Sequence, residues 1–242
     1  MQAHSGVEML EANRSFYEPL WADSRLMAPE GFNTWPLVRS LLAPRQRRLE
    51  VAPGLRPRLP LAGTRFADMS AAAVTKLKAH GADAQTALIS ALPFADASFD
   101  LVCALDIIEH VADDEGALSE LTRVAAPGAV LLLSAPLHAS YWSAFDELVG
   151  HFRRYEPAAL QALLARHGIA IEQSAVYGMR PKSSRLLDFG MWALTHRRRK
   201  AMWFYNHFLM PLGIHLQKPL VFAPGMAVAD GVDELLLVCR IG

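Results

Sequence analysis

Two carboxylates occupy positions where an open α/β sheet does its binding. Glu50 heads the run Glu50-Val51-Ala52-Pro53-Gly54, and Asp68 follows about 18 residues later, at the end of a second short apolar run. A tight loop at the carboxyl end of a first parallel strand is where such sheets take up nucleotides. An acid at the end of the second strand can accept both hydroxyls of a ribose. Histidines supply further candidates. His138, in Pro136-Leu137-His138, ends another apolar run, and an imidazole there can serve as a general base. A structural histidine with satisfied partners is the other reading. His110 and His151 are candidates for the same role. The segment Gly150-His-Phe-Arg-Arg-Tyr155 presents Arg153 and Arg154, whose planar forks suit a carboxylate or phosphate, with Tyr155 beside them. Alternatively, these arginines pair with acidic residues of the chain and Tyr155 closes the fold. Cys103 and Cys239 lie in apolar runs and form neither a metal pattern nor a redox pair, so no metal is expected.

Elements must hold these residues in place. Residues 48–52, 64–68, 86–90, 99–105 and 129–135 read as five strands, several of them apolar throughout. Ser70 predicts the cap of a helix through Val74 and Leu77 that Gly81 ends. Asp113 predicts a second, through Leu118, Leu121 and Val124, closed by Pro127-Gly128. Pro157 opens a third, through Leu160, Leu163 and Leu164, stopped by Gly168. Strands buried on both faces and alternating with helices imply a parallel sheet. Residues 169–176 and 232–240 read as a sixth and a seventh strand. An N-terminal segment with Phe16, Tyr17, Trp21 and Trp35 precedes the first strand, and an aromatic-rich helical insert over 179–230 separates the last two.

Three segments then follow in order: Ala91-Leu-Pro-Phe-Ala-Asp-Ala-Ser-Phe-Asp100, Ile108-Glu109-His110-Val111 and Leu121-Thr-Arg-Val-Ala-Ala-Pro-Gly128. Together they resemble the class I S-adenosylmethionine-dependent methyltransferases of the type 11 group, with its LPF-x-D-x-SFD, EHV and RV-x-x-PG motifs. The resemblance extends from residue 48 to about residue 240. It implies an α/β, Rossmann-like, seven-stranded and mostly parallel sheet with an antiparallel last strand and helices on both faces. One domain would comprise an N-terminal helical lid (1–46), a cofactor core (47–178), a cap insert (179–231) and the last strand (232–242). It implies S-adenosyl-L-methionine as cofactor and transfer of its methyl group to a small molecule, lipid-like or anionic. By position, Glu50, Ala52 and Gly54 would form the loop under the methionine part. Asp68 would hold the ribose, Met69 would pack beside the adenine, and Ser90 and Ala91 would flank its other side. Leu105 and Asp106 would line the floor beneath the sulfonium, and His110 would sit at the mouth. Tyr17, Arg153, Arg154 and Tyr155 would face the acceptor. Phe16, Tyr17 and Trp21 could equally belong to a helix that packs on the core.

The first loop departs from the usual E/D-x-G-x-G-x-G. Ala52 replaces the first glycine and Arg56 the third, while Pro57 and Pro60 bar a full helix over 54–63. A pyrophosphate would miss that helix start. A sulfonium donor carries no phosphate, so the loop argues against a nicotinamide cofactor. Leu88 and Ile89 stand where an acid often bonds the adenine. The worn loop keeps a competing reading open, a non-catalytic or membrane-associated binding protein on the same scaffold.

Composition narrows the classes further. At 242 residues, 52% hydrophobic and 20% charged, the chain is no disordered segment. Net charge is zero, which disfavours nucleic acid as a partner. The zero hides an asymmetry: residues 1–150 hold 12 basic against 18 acidic side chains, and residues 151–242 hold 12 against 6. The most apolar stretch, 185–214, is cut by Arg197-Arg198-Arg199-Lys200, so no membrane span is expected. The same stretch reads as a cap over the sheet or as a helix pair touching anionic lipid. No secretory signal is read at the N-terminus, and a cytoplasmic location is expected, with the oligomeric state left open.

Overall fold

The computed structural model describes residues 6–179, 184–227 and 231–242. The strands are β1 (Arg48–Val51), β2 (Thr64–Asp68), β3 (Asp83–Thr86), β4 (Phe99–Ala104), β5 (Ala125–Pro136), β6 (Ile169–Met179), β7 (Phe222–Pro224) and β8 (Val232–Ile241). They form one sheet in the order β3-β2-β1-β4-β5-β8-β6-β7. The first five are parallel. β8 enters antiparallel between β5 and β6. The expected sheet is therefore present, with one strand more: β7, from the insert, pairs antiparallel with the outer edge of β6.

The sheet is buried on both faces, as its unbroken apolar strands require. Leu131, Leu132 and Leu133 of β5 are all covered, each contributing about 2 kcal/mol by leaving water. The main helices are α1 (Gly6–Asp23), α2 (Trp35–Leu42), α3 (Ala71–Ala79), α4 (Asp114–Val124), α5 (Ala144–Val149) and α6 (Pro157–Arg166). The Ser70 hydroxyl accepts from Ala73 N at the start of α3, and the Asp113 carboxylate accepts from Gly116 N at the start of α4. Pro157 opens α6, and Gly168 follows it with φ +68°. α4 and α6 pack on the face that carries Val102, Ala104 and Leu133. The opposite face takes α1 and α3 over Phe66, and α2 over Leu101, Cys103 and Leu132.

Two expectations shift. The third strand lies at Asp83–Thr86 rather than 86–90, because β2 pairs with it from Arg65↔Asp83 to Asp68↔Thr86. The chain then turns, with Leu88 bridged to Ala91. Pro127-Gly128 does not close α4. The helix ends at Val124, and the pair lies in the exposed first turn of β5, before the register settles opposite Leu101.

No helix forms over residues 52–63, as Pro57 and Pro60 require. A buried carboxylate organises this span instead. Glu50 accepts Arg58 N at 2.8 Å and Leu59 N at 2.8 Å, and Leu55 and Leu59 are pressed fully into the core. Burial pushes the Glu50 carboxyl up to about 7, against the pull of these two N–H groups. Because the folded value lies above the unfolded one, Glu50 adds stability below about pH 4.5 that is lost as pH rises through about 7. Urea unfolding should therefore show stability falling between about pH 5 and 8, with a shallower fall in Glu50→Gln. Glu50→Ala strands two buried N–H groups and should cost about 2–4 kcal/mol at pH 6.

Candidate active site

The carboxyl ends of β1, β2 and β4 open into one cleft, where loops from three parallel strands converge. Its floor and walls include Glu50, Ala52, Asp68, Leu105, Asp106 and His110, all singled out from the sequence. α1 adds Asn13, Tyr17 and Trp21, and the helix-free loop adds Arg56 and Arg58. Ala52 takes φ +55° where a glycine is usual, a costly conformation for a side chain with a Cβ. Gly54, also at φ +55°, lies directly beneath the Trp21 indole. A Cβ there would fall 2.2 Å from the ring.

Asp68 is the best-defined acid of the cleft. Its Oδ2 accepts Gly54 N at 2.9 Å and its Oδ1 accepts Ser70 N at 2.8 Å. Each oxygen keeps a second lone pair for a ligand hydroxyl. Burial pushes its carboxyl up to about 6, opposed by those two N–H groups. Arg56 lies over the rings of Trp21 and Tyr205, at 5.1 and 5.2 Å, which ties the insert to the cleft. Its Nη2 is buried without a hydrogen-bond partner. Asp106 takes φ +51° and bonds the Ser134 hydroxyl through its carboxylate.

The three histidines part company. His110 lines the cleft, its Nδ1 2.8 Å from the Asn13 amide and its ring edge-on to Tyr17. Burial, then the neighbouring His151, lowers His110 to about 3, so it is neutral at ordinary pH. His151 gives its Nδ1 to Asp146 at 2.8 Å. His138 lies outside the cleft lining, against Tyr141 and 3.6 Å from Glu156. The arginines of Gly150–Tyr155 are spent inside the protein rather than held toward a ligand. Arg153 pairs with Asp114 at 2.7 Å, and Arg154 joins Asp146 at 2.8 Å to Asp233 at 2.7 Å. Tyr155 is buried, its hydroxyl 2.9 Å from Asp114. Of the adenine candidates, Met69 is half-buried and Ser90 and Ala91 are exposed on the turn after β3; none lines the cleft. Sequence reasoning treated Arg56 only as a lost glycine. An arginine inside an apolar, proline-rich loop after β1 was the available signal. Asn13 left none.

The N-terminal helix packs on the core and also lines the cleft. Phe16, Leu20 and Trp21 are buried with Leu55, Phe66 and Met202, while Tyr17 and Trp21 face the cleft. Residues 1–5 of that segment, and 180–183 and 228–230 of the insert, lie outside the described residues.

Residues 61–133 match the family model of a methyltransferase domain. The chain is 47% identical over 47 residues to norajmaline N-methyltransferase of Rauvolfia serpentina, a match taking in 19% of this chain and 16% of that one. It is 34% identical over 88 residues to an S-adenosylmethionine-dependent methyltransferase of Mycolicibacterium smegmatis, covering 36% of this chain and 34% of the relative. The chain thus aligns with only about a third of the length of one of these relatives and about a sixth of the other. In three dimensions it is similar to an S-adenosylmethionine-dependent methyltransferase structure from Thermotoga maritima, with TM-score 0.56 and 15% identity over 88% of this chain and 91% of that one.

The contact of Trp21 with Gly54 joins α1 to the cleft loop. Gly54→Ala should destabilise the protein by at least about 1–2 kcal/mol and shift its tryptophan emission to the red as the indole is displaced. Removing the obstacle in Trp21→Ala should shrink the added cost of Gly54→Ala, measured as a double-mutant cycle in urea.

Proposed function

We propose that this chain, a member of the class I S-adenosylmethionine-dependent methyltransferase family, transfers a methyl group from S-adenosylmethionine to a small molecule. The observation that supports this best is the presence of both Asp68 and Arg56 in the lining of one cleft at the carboxyl ends of the parallel strands. The donor carries a ribose diol, an amino-acid carboxylate and a positive sulfur. Asp68 suits the diol, as a carboxylate with two free lone pairs. Arg56 suits the carboxylate, because its buried Nη2 lacks a partner. Asp106 adds an acidic side chain to the cleft lining, which suits a sulfonium. When bound, the donor supplies an already activated methyl group. The protein's own task is then chiefly to position two reactants and exclude water, which can account for most of the acceleration. We place Tyr17 and His110 at the acceptor, as walls rather than bases, since a neutral imidazole of such low basicity is a poor proton acceptor.

A second reading concerns where the protein works. The insert helices α7 (Ser184–His196), α8 (Arg198–Phe204) and α9 (Met210–His215), with the π-helical turn Tyr205–Leu209 between the last two, expose Phe189, Trp192, Trp203, Phe208 and Leu212, each about half or more open to solvent. Arg197, Arg199 and Lys200 are exposed among them. No helix of the described residues is long and apolar enough to cross a membrane. Aromatic side chains interleaved with cations instead suit contact with an anionic lipid surface, with Tyr205 of the same insert, stacked on the cleft residue Arg56, linking that surface to the site.

Calorimetric titration with S-adenosylhomocysteine should show binding to the full chain. A folded protein that binds none at about 1 mM ligand would sink the methyl-transfer reading. Asp68→Ala and Arg56→Ala should each weaken binding about tenfold or more, at about 1.4 kcal/mol per factor of ten. Ribose hydroxyls need the ionised carboxylate, so affinity should fall as pH drops below about 6, and this dependence should vanish in Asp68→Ala. For the lipid contact, the protein should co-sediment with phosphatidylglycerol vesicles but not with phosphatidylcholine vesicles. Trp192→Glu combined with Phe208→Glu should abolish it, and equal recovery with both vesicle types would count against a charge-guided contact.

A further inference from the structure

Behind the cleft wall lies a cluster of which the methyl-transfer reading uses only His110. Glu109, His110 and His151 each offer a ligand atom, and these atoms all lie within 4.8 Å of one another. All three residues are more than nine-tenths buried. Glu109 Oε2 has no hydrogen-bond partner, although a carboxylate oxygen so deep calls for a donor or a cation. Its Oε1 stands 3.9 Å from His151 Nε2, and among the described residues no lysine or arginine is bonded to it.

We propose that Glu109, His110 and His151 bind one divalent transition-metal ion, zinc in the first instance. The His151 ring is already set for it. His151 donates its Nδ1 proton to Asp146, which leaves the lone pair of Nε2 on the side of Glu109. Asp146 is in turn fixed by Ser143 N at 2.8 Å, the Ser143 hydroxyl at 2.7 Å and Arg154 Nε at 2.8 Å. A carboxylate behind a ligating imidazole is the usual way such a ring is oriented. The His110 ring is anchored at Nδ1, where the Asn13 amide donates at 2.8 Å; ligation through Nε2 calls for the other tautomer, with the Nδ1 proton given to the Gly150 carbonyl at 3.3 Å. Two imidazoles and one carboxylate suit zinc with a coordination position left open. The ligand atoms would draw inward by about 1 Å to reach metal bonds of roughly 2.0–2.2 Å. His110 belongs both to this cluster and to the cleft lining, so the open position would take an oxygen of the acceptor: a hydroxyl, carbonyl or carboxylate. This last clause rests on the methyl-transfer reading; metal binding itself does not.

The test uses the full chain, stripped with a chelator and dialysed. Zinc is titrated by calorimetry, and cobalt(II) by visible absorption, whose band intensity reports a four- or five-coordinate site without any assay of activity. We expect about one ion per chain, a rise in melting temperature with zinc, and a loss of affinity of at least about tenfold in Glu109→Gln and in His151→Gln. Circular dichroism selects the variants that stay folded. Should both fail to fold, the imidazole resonances of the parent chain, followed by NMR with and without zinc, replace them. Zinc should then shift the resonances of His110 and His151 and leave those of the insert's His196 and His207 in place. Absence of zinc binding to the folded parent would overturn the site. So would folded variants that bind as tightly as the parent, or zinc-induced shifts confined to the insert histidines. Because S-adenosylhomocysteine titration is a separate measurement, failure of either proposal is read independently of the other.

Discussion

The fold around the cleft depends on one buried carboxylate. Glu50 leaves β1 pointing to the face where a first helix would ordinarily sit, and no helix can form there. By accepting the N–H groups of Arg58 and Leu59, it bends the span back over the sheet and drives Leu55 and Leu59 into the core. The same bend brings Arg56 and Arg58 into the cleft. A helix in this position would satisfy its own backbone. A loop must borrow acceptors, and the acid borrowed here sits beside the site.

Asp68 repeats the arrangement one strand over. It ties Gly54 to Ser70, and so joins the loop after β1 to the N-terminus of α3. α1 then closes the edge. Trp21 fills the space above Gly54, which only a residue without Cβ leaves free, and Arg56 is clasped between Trp21 and Tyr205 of the insert. Elements distant in sequence thus meet on a single loop.

A second constraint holds the far wall. Asp146 gathers Ser143, His151 and Arg154, and Arg154 continues to Asp233 at the start of β8. These hydrogen bonds hold the Asp146 carboxyl well below the usual range against the opposing effect of burial. The segment Gly150–Tyr155 is therefore a brace between the sheet and the wall that carries Glu109 and His110. Its charged residues look like ligand contacts in sequence because a brace and a binding site draw on the same side-chain chemistry.

Much was legible in the residues themselves. Unbroken apolar strands, the caps at Ser70 and Asp113, Pro157 before α6 and the prolines of the first loop each act through local backbone physics, so the parallel sheet and the missing helix followed from the chain alone. The places of Glu50 and Asp68 at strand ends were legible for the same reason. What the sequence could not determine was how side chains pair across long separations. That Arg153 and Arg154 turn inward, that His138 stays outside the cleft while His110 and His151 meet beside Glu109, that Arg56 becomes a wall of the site and that the insert adds an eighth strand all depend on contacts between residues many tens of positions apart. Local pattern carries no information about such pairs, because only packing of the finished sheet decides which buried charge finds which partner.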